Sequence, residues 1–254
     1  PSTGEAWAMV PEATAADVER AVKAAKRAMD EGPWASMTPT ERGKYLRRLG
    51  DLLADKSEDL GRIETRDTGK MFTETRWQAK YIAEFFHFYA GAADKIDGKT
   101  LPIDKPDMFV FTDREPIGVV AAIVPWNSQL FLSAVKIGPA LAAGNAIVLK
   151  ASEHGAAPML EFGKLIQQAG IPDGVVNIIT GHGDPCGKTL TSHPSVARVS
   201  FNGGPASAAQ GIRNTAENFA EISRELGGKS PFIGLEDGVL ERAGNLSIAG
   251  IIVF

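Results

Sequence analysis

The sequence predicts an α/β fold in which a parallel, Rossmann-like sheet has helices on both faces. Three observations lead to this prediction. Residues 1–98 show helical periodicity, residues 99–120 are rich in strand formers, and residues 121–254 alternate short apolar strands with helices. Such alternation is typical of a parallel sheet covered by helices. We therefore predict N-terminal helices packed on the sheet domain, a β-hairpin arm over 99–120, and an α/β domain over 121–254.

Four helices are predicted in the N-terminal region. Thr14–Asp17 resembles a capping box that begins the first helix, and Gly32-Pro33 ends it. Thr38-Pro39 begins the second, because proline is favoured at the first helical position. The third covers about Ser57–Thr68, and the fourth runs from about Glu74 to Lys95.

The fourth helix carries an aromatic stripe. Its members are Trp77, Tyr81, Phe85, Phe88 and Tyr89. Apolar stripes at helical spacing usually belong to the core. We predict a helix-packing face, with cofactor stacking as the weaker alternative.

The remaining chain shows strand and helix patterns in turn. Met108–Thr112 and Ile117–Val124 are predicted to be consecutive strands. The segments that follow are a helix at about 128–143, a strand at 146–150, a helix at 158–169, a strand at 175–179, a short helix near 185–192, a strand at 196–201, a helix at 206–218, a strand at 221–226, an extended segment at 231–235 and a helix at 239–251.

Composition excludes several classes of function. The 254 residues contain 27 Lys and Arg against 31 Asp and Glu, a net charge of −4, which argues against a nucleic-acid or anionic-membrane partner. The single cysteine, Cys186, excludes a disulfide framework and a multi-cysteine zinc site, and no metal site is predicted. The longest apolar run, Ile117–Trp126, is too short to span a bilayer. With no signal-peptide pattern at the N-terminus, we expect a cytoplasmic protein.

Ligands of open parallel sheets bind outside the carboxyl ends of the strands. Pro125-Trp126-Asn127 follows the strongest predicted strand. The amide of Asn127 can donate a hydrogen bond to a developing oxyanion. Alternatively, Asn127 is the N-cap of the next helix.

Lys150-Ala151-Ser152-Glu153 ends the following strand. Lys150 and Glu153 can both hydrogen-bond ribose hydroxyls, and the carboxylate would repel a 2′-phosphate, which favours NAD over NADP. The alternative is an exposed ion pair in a turn, which contributes little.

Two glycine-containing segments are phosphate-site candidates. Ser200–Pro205 ends a strand and opens a helix, so its backbone N–H groups either receive a pyrophosphate or form a plain tight turn. Gly181–Gly187 resembles G-x-G-x-x-G with one extra residue. Because no acidic residue ends the next strand, we favour a connecting turn there.

The most specific string is Glu225-Leu226-Gly227-Gly228-Lys229-Ser230-Pro231. A glutamate beside two glycines can serve as general base for a water, or it is a solvated surface acid. The predicted cofactor-binding residues are Ile123, Pro125, Trp126, Lys150, Ser152, Glu153, Gly183, Gly187, Phe201, Gly203, Gly204, Leu226 and Gly227.

Taken together, these ordered motifs resemble the aldehyde dehydrogenase superfamily. The resemblance runs through nearly the whole chain. It includes Pro1–Glu5, Val10–Thr14, Pro125–Asn127, Pro139–Asn145, Lys150–Glu153 and Glu225–Pro231.

The resemblance implies a role for each site. Asn127 would be the oxyanion donor, Lys150 and Glu153 would hold the adenosine ribose of NAD, Gly203 would lie near the pyrophosphate, and Glu225 would be the general base. A cysteine thiolate would attack an aldehyde, NAD would accept hydride, and water would release a carboxylic acid. The strands from Met108 to Val119 would form the arm through which subunits of a homodimer or homotetramer associate.

The sequence also departs from the family. Asn202 and Gly204 stand where the family's phosphate turn has threonine and serine, Ala208 replaces a glycine, and Ala151 replaces a common proline.

The family's nucleophile is expected about five residues beyond Phe254, so Cys186 is interpreted as structural or incidental. We expect these residues to be the N-terminal, NAD-binding portion of a longer subunit, without the catalytic domain and inactive alone. A non-catalytic NAD-binding or assembly protein is one alternative. A Rossmann dehydrogenase that uses Gly181, Gly183 and Gly187 is another.

Overall fold

The computed structural model describes residues 1–253 and contains a central sheet, a small hairpin and nine α-helices within that range. The predicted α/β domain ends at Phe254, which lies outside the described residues. The helices are α1 Ala15–Asp30, α2 Pro39–Asp55, α3 Ser57–Thr68, α4 Phe72–Ala92, α5 Gln129–Ala142, α6 Ala157–Gln168, α7 Lys188–Ser192, α8 Pro205–Asn214 and α9 Leu240–Val253. The strands are β1 Thr100–Leu101, β2 Val110–Phe111, β3 Val119–Ile123, β4 Ala146–Ala151, β5 Val176–Thr180, β6 Val196–Gly203 and β7 Glu221–Leu226.

The central sheet is parallel, and the predicted fold class is confirmed. Its strand order is β5-β4-β3-β6-β7. The register aligns Ile123 with Lys150 on one side and with Phe201 on the other. One residue further along, Asn202 pairs with Glu225. Four strands therefore present their predicted site residues at one edge.

Both faces of the sheet are covered. Val120 and Ala122 join the core beneath α2 to α6, whereas Val119 and Ala121 join a second core with residues of α1, α7 and α8. Alternate residues of a strand point to opposite faces, so a strand buried on both sides reads as a continuous apolar run. This explains the uninterrupted apolar sequence of β3.

The helix boundaries follow the local signals in the sequence. The side chain of Thr14 accepts from the N–H of Asp17, and the side chain of Asp17 accepts from the N–H of Thr14, as a capping box requires. Thr38 and Glu41 form a second capping box ahead of α2. Gly69 ends α3 with φ of 81°, a left-handed conformation that favours glycine.

The prediction for the aromatic stripe of α4 is wrong for two of its members. Trp77 and Phe88 are 59% and 69% exposed, whereas Tyr81 and Phe85 pack on Phe131 of α5. The buried face of α4 consists instead of Ala79, Ile82, Ala83, Phe86 and Ala90. α4 is apolar around much of its circumference, so the size of its side chains does not indicate which side faces the core. Smaller residues pack against α2 and α3.

Two predicted extended segments also differ. β3 pairs within the central sheet, so the arm consists of β1 and β2 alone, paired antiparallel, and Val119 does not belong to it. Residues 231–235 form no strand and lack sheet partners. Within residues 1–253, no helix is both long and apolar enough to cross a bilayer.

Candidate functional site

A cavity of about 560 Å³ opens at the carboxyl edge of the sheet. Eleven of the thirteen predicted cofactor-binding residues line it, and the remaining two, Leu226 and Gly227, lie outside it in exposed positions at the end of β7. The eleven are Ile123, Pro125, Trp126, Lys150, Ser152, Glu153, Gly183, Gly187, Phe201, Gly203 and Gly204.

Lys150 and Glu153 form an ion pair on the cavity wall. Lys150 Nζ lies 3.3 Å from Glu153 Oε2, and the lysine side chain is 6% exposed. Burial opposes ionisation of Glu153, but its own backbone N–H and the nearby ammonium outweigh that effect, so its pKa lies below the ordinary value. Because the lysine is buried, this pair differs from the exposed turn pair of the alternative interpretation. His182 Nδ1 lies 3.6 Å from Glu153 Oε1 and adds a second basic group.

The glycine turn after β6 leads directly into α8. Gly204 is the N-cap of α8 and no side chain caps it, so the helix N-terminus faces the cavity without a protein acceptor. Free N–H groups at a helix N-terminus favour anions. At Gly203 a Cβ would lie 2.8 Å from the Phe201 ring, so a side chain there would displace a cavity wall.

Asn127 lies on an exposed turn between β3 and α5. It is not the N-cap of α5, because Ser128 occupies that position. The N-cap alternative for Asn127 is therefore wrong. Asn127 is not among the cavity-lining residues and lies beside two of them, Pro125 and Trp126.

Glu225 is exposed at the end of β7, two strands away from β3. Its charge acts on Lys136, the single charged residue of helix α5. Burial lowers the pKa of Lys136 to about 8, although Glu225 opposes that shift. Lys136 Nζ donates to Ser200 Oγ at 2.8 Å. Lys136 was not among the predicted site residues, because its partners Ser200 and Glu225 lie far along the chain.

Other cavity residues were also missed. Ser207, Gln210, Gly211 and Asn214 line the cavity from α8. Their i, i+3, i+4, i+7 spacing is that of one helix face. That spacing, directly after the phosphate-turn candidate, was a usable signal. Asp184, Lys188 and Thr191 also line the cavity.

The Gly181–Gly187 string contributes to the wall but does not form a phosphate turn into a long helix. It follows the edge strand β5 and leads into α7, which has only five residues. A Cβ at Gly183 would meet no atom within 4 Å. No other segment of the protein therefore approaches the backbone of Gly183 closely.

Cys186 is fully buried, and burial raises the pKa of its thiol. Buried thiols with a raised pKa are poor nucleophiles. This supports the interpretation of Cys186 as a structural residue. Across residues 1–253, no three His, Cys, Asp or Glu side chains cluster in a way that could hold a metal ion.

Comparison with known proteins agrees with this architecture. A sequence model described as the aldehyde dehydrogenase family matches residues 1–254. The chain belongs to the aldehyde dehydrogenase family. The resemblance first noted in the motifs is thereby confirmed over the whole length of the chain.

Two curated relatives show the range of similarity to this family. A (Z)-2-((N-methylformamido)methylene)-5-hydroxybutyrolactone dehydrogenase of Acinetobacter baylyi is 56% identical over 251 residues, which are 99% of this chain and 51% of the relative. A mitochondrial aldehyde dehydrogenase, family 2 member B4, of Arabidopsis thaliana is 44% identical over 97% of this chain and 46% of the relative. The chain spans about half the length of these relatives.

Solved structures share the fold. A putative aldehyde dehydrogenase from Burkholderia cenocepacia has a TM-score of 0.93 and 42% identity, covering 98% of this chain and 52% of its own. An NAD⁺ complex of an aldehyde dehydrogenase from Bacillus cereus has a TM-score of 0.90 and 40% identity, covering 94% of this chain and 49% of its own.

Proposed function

We propose that this chain is the NAD-binding part of an enzyme that oxidises an aldehyde to a carboxylic acid. The observation that carries the proposal is the cavity, in which the Lys150–Glu153 pair and the N-terminus of α8 face one space at the sheet edge. Family membership and the dehydrogenase names of the relatives support the reaction class.

The residues of the cavity fit a dinucleotide. Glu153 would accept hydrogen bonds from the adenosine ribose hydroxyls, and Lys150 would donate to them. Backbone N–H groups at the start of α8 would hold the pyrophosphate. Because the pKa of Glu153 is lowered, its carboxylate is charged at neutral pH and would repel a 2′-phosphate, so the proposed cofactor is NAD rather than NADP.

Bound NAD would supply a hydride acceptor at this edge. Asn127, on its exposed turn, would donate its side-chain amide to the oxyanion that forms when a nucleophile attacks the aldehyde carbonyl. Glu225 would take a proton from the water that releases the acid. Lys136 lies close enough to Glu225 for the two charges to interact.

The proposal does not use Cys186 as the nucleophile. Its thiol is buried against Gly181, where a Cβ on the glycine would lie 3.0 Å from Cys186 Cβ. We propose instead that the nucleophilic thiol belongs to residues outside this sequence. The same proposal includes a homo-oligomer formed through the β1–β2 arm and a cytoplasmic location, which cell fractionation tests.

The test is NAD binding and turnover in the complete gene product. Calorimetric titration should give NAD binding that Lys150→Ala weakens. An NADH assay across a panel of aldehydes should give turnover that Asn127→Ala and Glu225→Gln reduce while NAD still binds. NAD binding without turnover of any aldehyde would support the non-catalytic binding protein instead. Absence of NAD binding would refute the proposal.

A further inference from the structure

A cluster of charged side chains lies beneath the turn that carries Asn127. Its members are Glu64, Lys70 and Glu74, which lie together with Ser128. Lys70 Nζ lies 2.5 Å from Glu74 Oε1, with side chains 11% and 7% exposed, and it donates to Ser128 Oγ at 2.7 Å. Ser128 is itself buried and immediately follows Asn127. A buried ion pair costs desolvation and is weak evidence for stability alone, so its contact with a proposed site is of interest.

Ser128 has the residue type and position of an N-cap but does not cap α5. Its hydroxyl accepts from Lys70 instead. The start of α5 is faced by Glu64, which is fully buried and has no hydrogen-bond partner for either carboxylate oxygen. The N–H groups of Leu130 and Gln129 act to lower the pKa of this carboxyl, against the larger opposing effect of burial. A carboxyl group from α3 thus stands at the N-terminus of α5, where its ionised form complements the helix dipole.

The turn is also held from the opposite side. Gln129 accepts from the N–H of Ser152 at 3.1 Å and donates to the carbonyl of Gly155. Asn127 is therefore an exposed residue on a fixed turn. The C-terminal side of the turn is held by hydrogen bonds from the side chains of Lys70 and Gln129. An amide that must meet an oxyanion needs such fixing, because the donor has to be aimed before the charge forms.

We propose that Lys70 is a positioning residue that fixes Asn127 through its hydrogen bond to Ser128. The proposal rests on the proposed role of Asn127 as oxyanion donor. In this proposal, Glu74 holds Lys70 through the ion pair, and Glu64 faces the start of α5. Misplacing a reacting or stabilising group by about 1 Å can cost about 100-fold in rate, so the loss of one fixing contact should be measurable in kcat.

The experiment is a set of double-mutant cycles in the complete gene product, with NAD affinity and melting temperature measured for each variant. Ser128→Ala and Lys70→Met should each lower kcat by about 10- to 100-fold while the Kd for NAD stays unchanged. The double variant should be no slower than the worse single variant, because both changes remove one contact. Ser128→Thr, which keeps the hydroxyl, should retain most of the activity.

The decisive comparison is made in the Asn127→Ala background. If Lys70 acts through Asn127, then Lys70→Met or Ser128→Ala should cost nothing further there. Losses of equal size in both backgrounds would overturn the proposal and show a general effect on the fold. Unchanged kcat in the single variants would overturn it as well. An Asn127→Ala variant with full activity would refute the oxyanion role itself, which separates that failure from failure of the positioning role.

A control comes from the same segment of the chain. Asp67 Oδ2 accepts from the N–H of Ala157 at 2.9 Å and so serves the start of α6 rather than that of α5. Asp67→Asn weakens a comparable contact but should leave kcat unchanged. If Lys70→Met fails to fold because Glu74 loses its partner, Ser128→Ala decides the question alone, since it leaves the ion pair intact.

Discussion

Glu153 and Gly183 both line the cavity, but we expect different roles for them in cofactor binding. Glu153→Ala removes a charged acceptor and should weaken NAD binding by about tenfold or more, the usual effect of losing a charged hydrogen bond. If the Gly181–Gly187 string is a connecting turn, Gly183→Ala should change the affinity little, since its Cβ would meet no protein atom within 4 Å. Calorimetry with both variants decides between the two interpretations of the Gly181–Gly187 string. A larger loss for Gly183→Ala would favour the alternative dinucleotide fingerprint.

Glu64 should make stability depend on pH. Burial raises its pKa to about 7, with Glu74 adding to the shift and Lys70 opposing it. A carboxyl whose pKa is higher in the folded state than in the unfolded state contributes stability below about pH 4.5, which is lost as the pH rises to about 7. Across that window the wild type should lose about 3 kcal/mol relative to Glu64→Gln.

Urea unfolding at several pH values tests this directly. The difference in unfolding free energy between Glu64→Gln and the wild type should grow between about pH 4.5 and 7 and stay constant above it. The change with pH is the readout, so a constant cost of placing an amide in the pocket does not affect the result. Parallel pH profiles for the two proteins would contradict the burial of a titrating Glu64.

Single residues differ in how far their sequence context reveals them. Asn127, Lys150 and Glu225 could be identified because each lies at or just beyond the carboxyl end of a predicted strand, and parallel strands bring these ends together. Lys70 and Lys136 could not, because their importance depends on partners far along the chain, Ser128 in one case and Ser200 in the other. Charged side chains are ordinarily solvated, so sequence alone gives no reason to bury them.

At the level of elements, glycines set the distance between α2 and α4. A Cβ at Gly43 would lie 2.6 Å from the carbonyl oxygen of Ala90, closer than real contacts allow. Gly43→Ala should therefore destabilise the protein by about 1–3 kcal/mol through overpacking. Gly91 in α4 is the matched control, since a Cβ there meets nothing within 4 Å. Gly91→Ala should stabilise by about 0.5–1 kcal/mol through helix propensity, and thermal unfolding of both variants measures the difference.

The same crossing explains why the aromatic stripe misled the sequence prediction. Close approach of α2 and α4 requires small residues, and Gly43 faces Ala90 there. The large rings of Trp77 and Tyr81 lie elsewhere on the helix, stacked on each other at 5.1 Å, and Tyr81 also stacks on Phe131 of α5. Periodicity correctly predicted a helix, but ring size did not predict which side is buried. By contrast, β3 and β4 were predicted well because a strand buried on both faces has little ambiguity.

At the scale of the whole molecule, the residues proposed to bind the cofactor and the Asn127 turn come from different segments but lie at the same edge of the sheet. The Lys150–Glu153 pair, the α8 N-terminus and the Asn127 turn all lie at one sheet edge. Asp67 of α3 and Lys70, which follows α3, contact the starts of α6 and α5. These sites come together because the strands are parallel, and the alternation of strands and helices in the sequence predicts a parallel sheet. The contacts of Asp67 and Lys70 were not predictable, since they depend on how the N-terminal helices dock on the sheet.

The β1–β2 arm exposes large apolar side chains, as a surface that binds a partner does. β1 and β2 have two residues each, and such a short hairpin is at best marginally stable alone. It nevertheless exposes Phe109 by 74% and Phe111 by 64%, with ring centroids 5.9 Å apart. Exposed apolar patches of this kind mark interaction surfaces. A second subunit of the same protein is the partner that the family resemblance predicts.

Replacing both arm phenylalanines with serine should therefore dissociate the complete gene product into smaller species without unfolding the sheet domain, because neither side chain belongs to either core. Sedimentation velocity gives the mass, and circular dichroism gives the fold. Phe219→Ser is the matched control, since Phe219 is 91% exposed but lies outside the arm. An unchanged mass for the double variant would exclude the arm as the main contact between subunits. A fall in mass for Phe219→Ser as well would show that any exposed phenylalanine has this effect, which would remove the arm's special role.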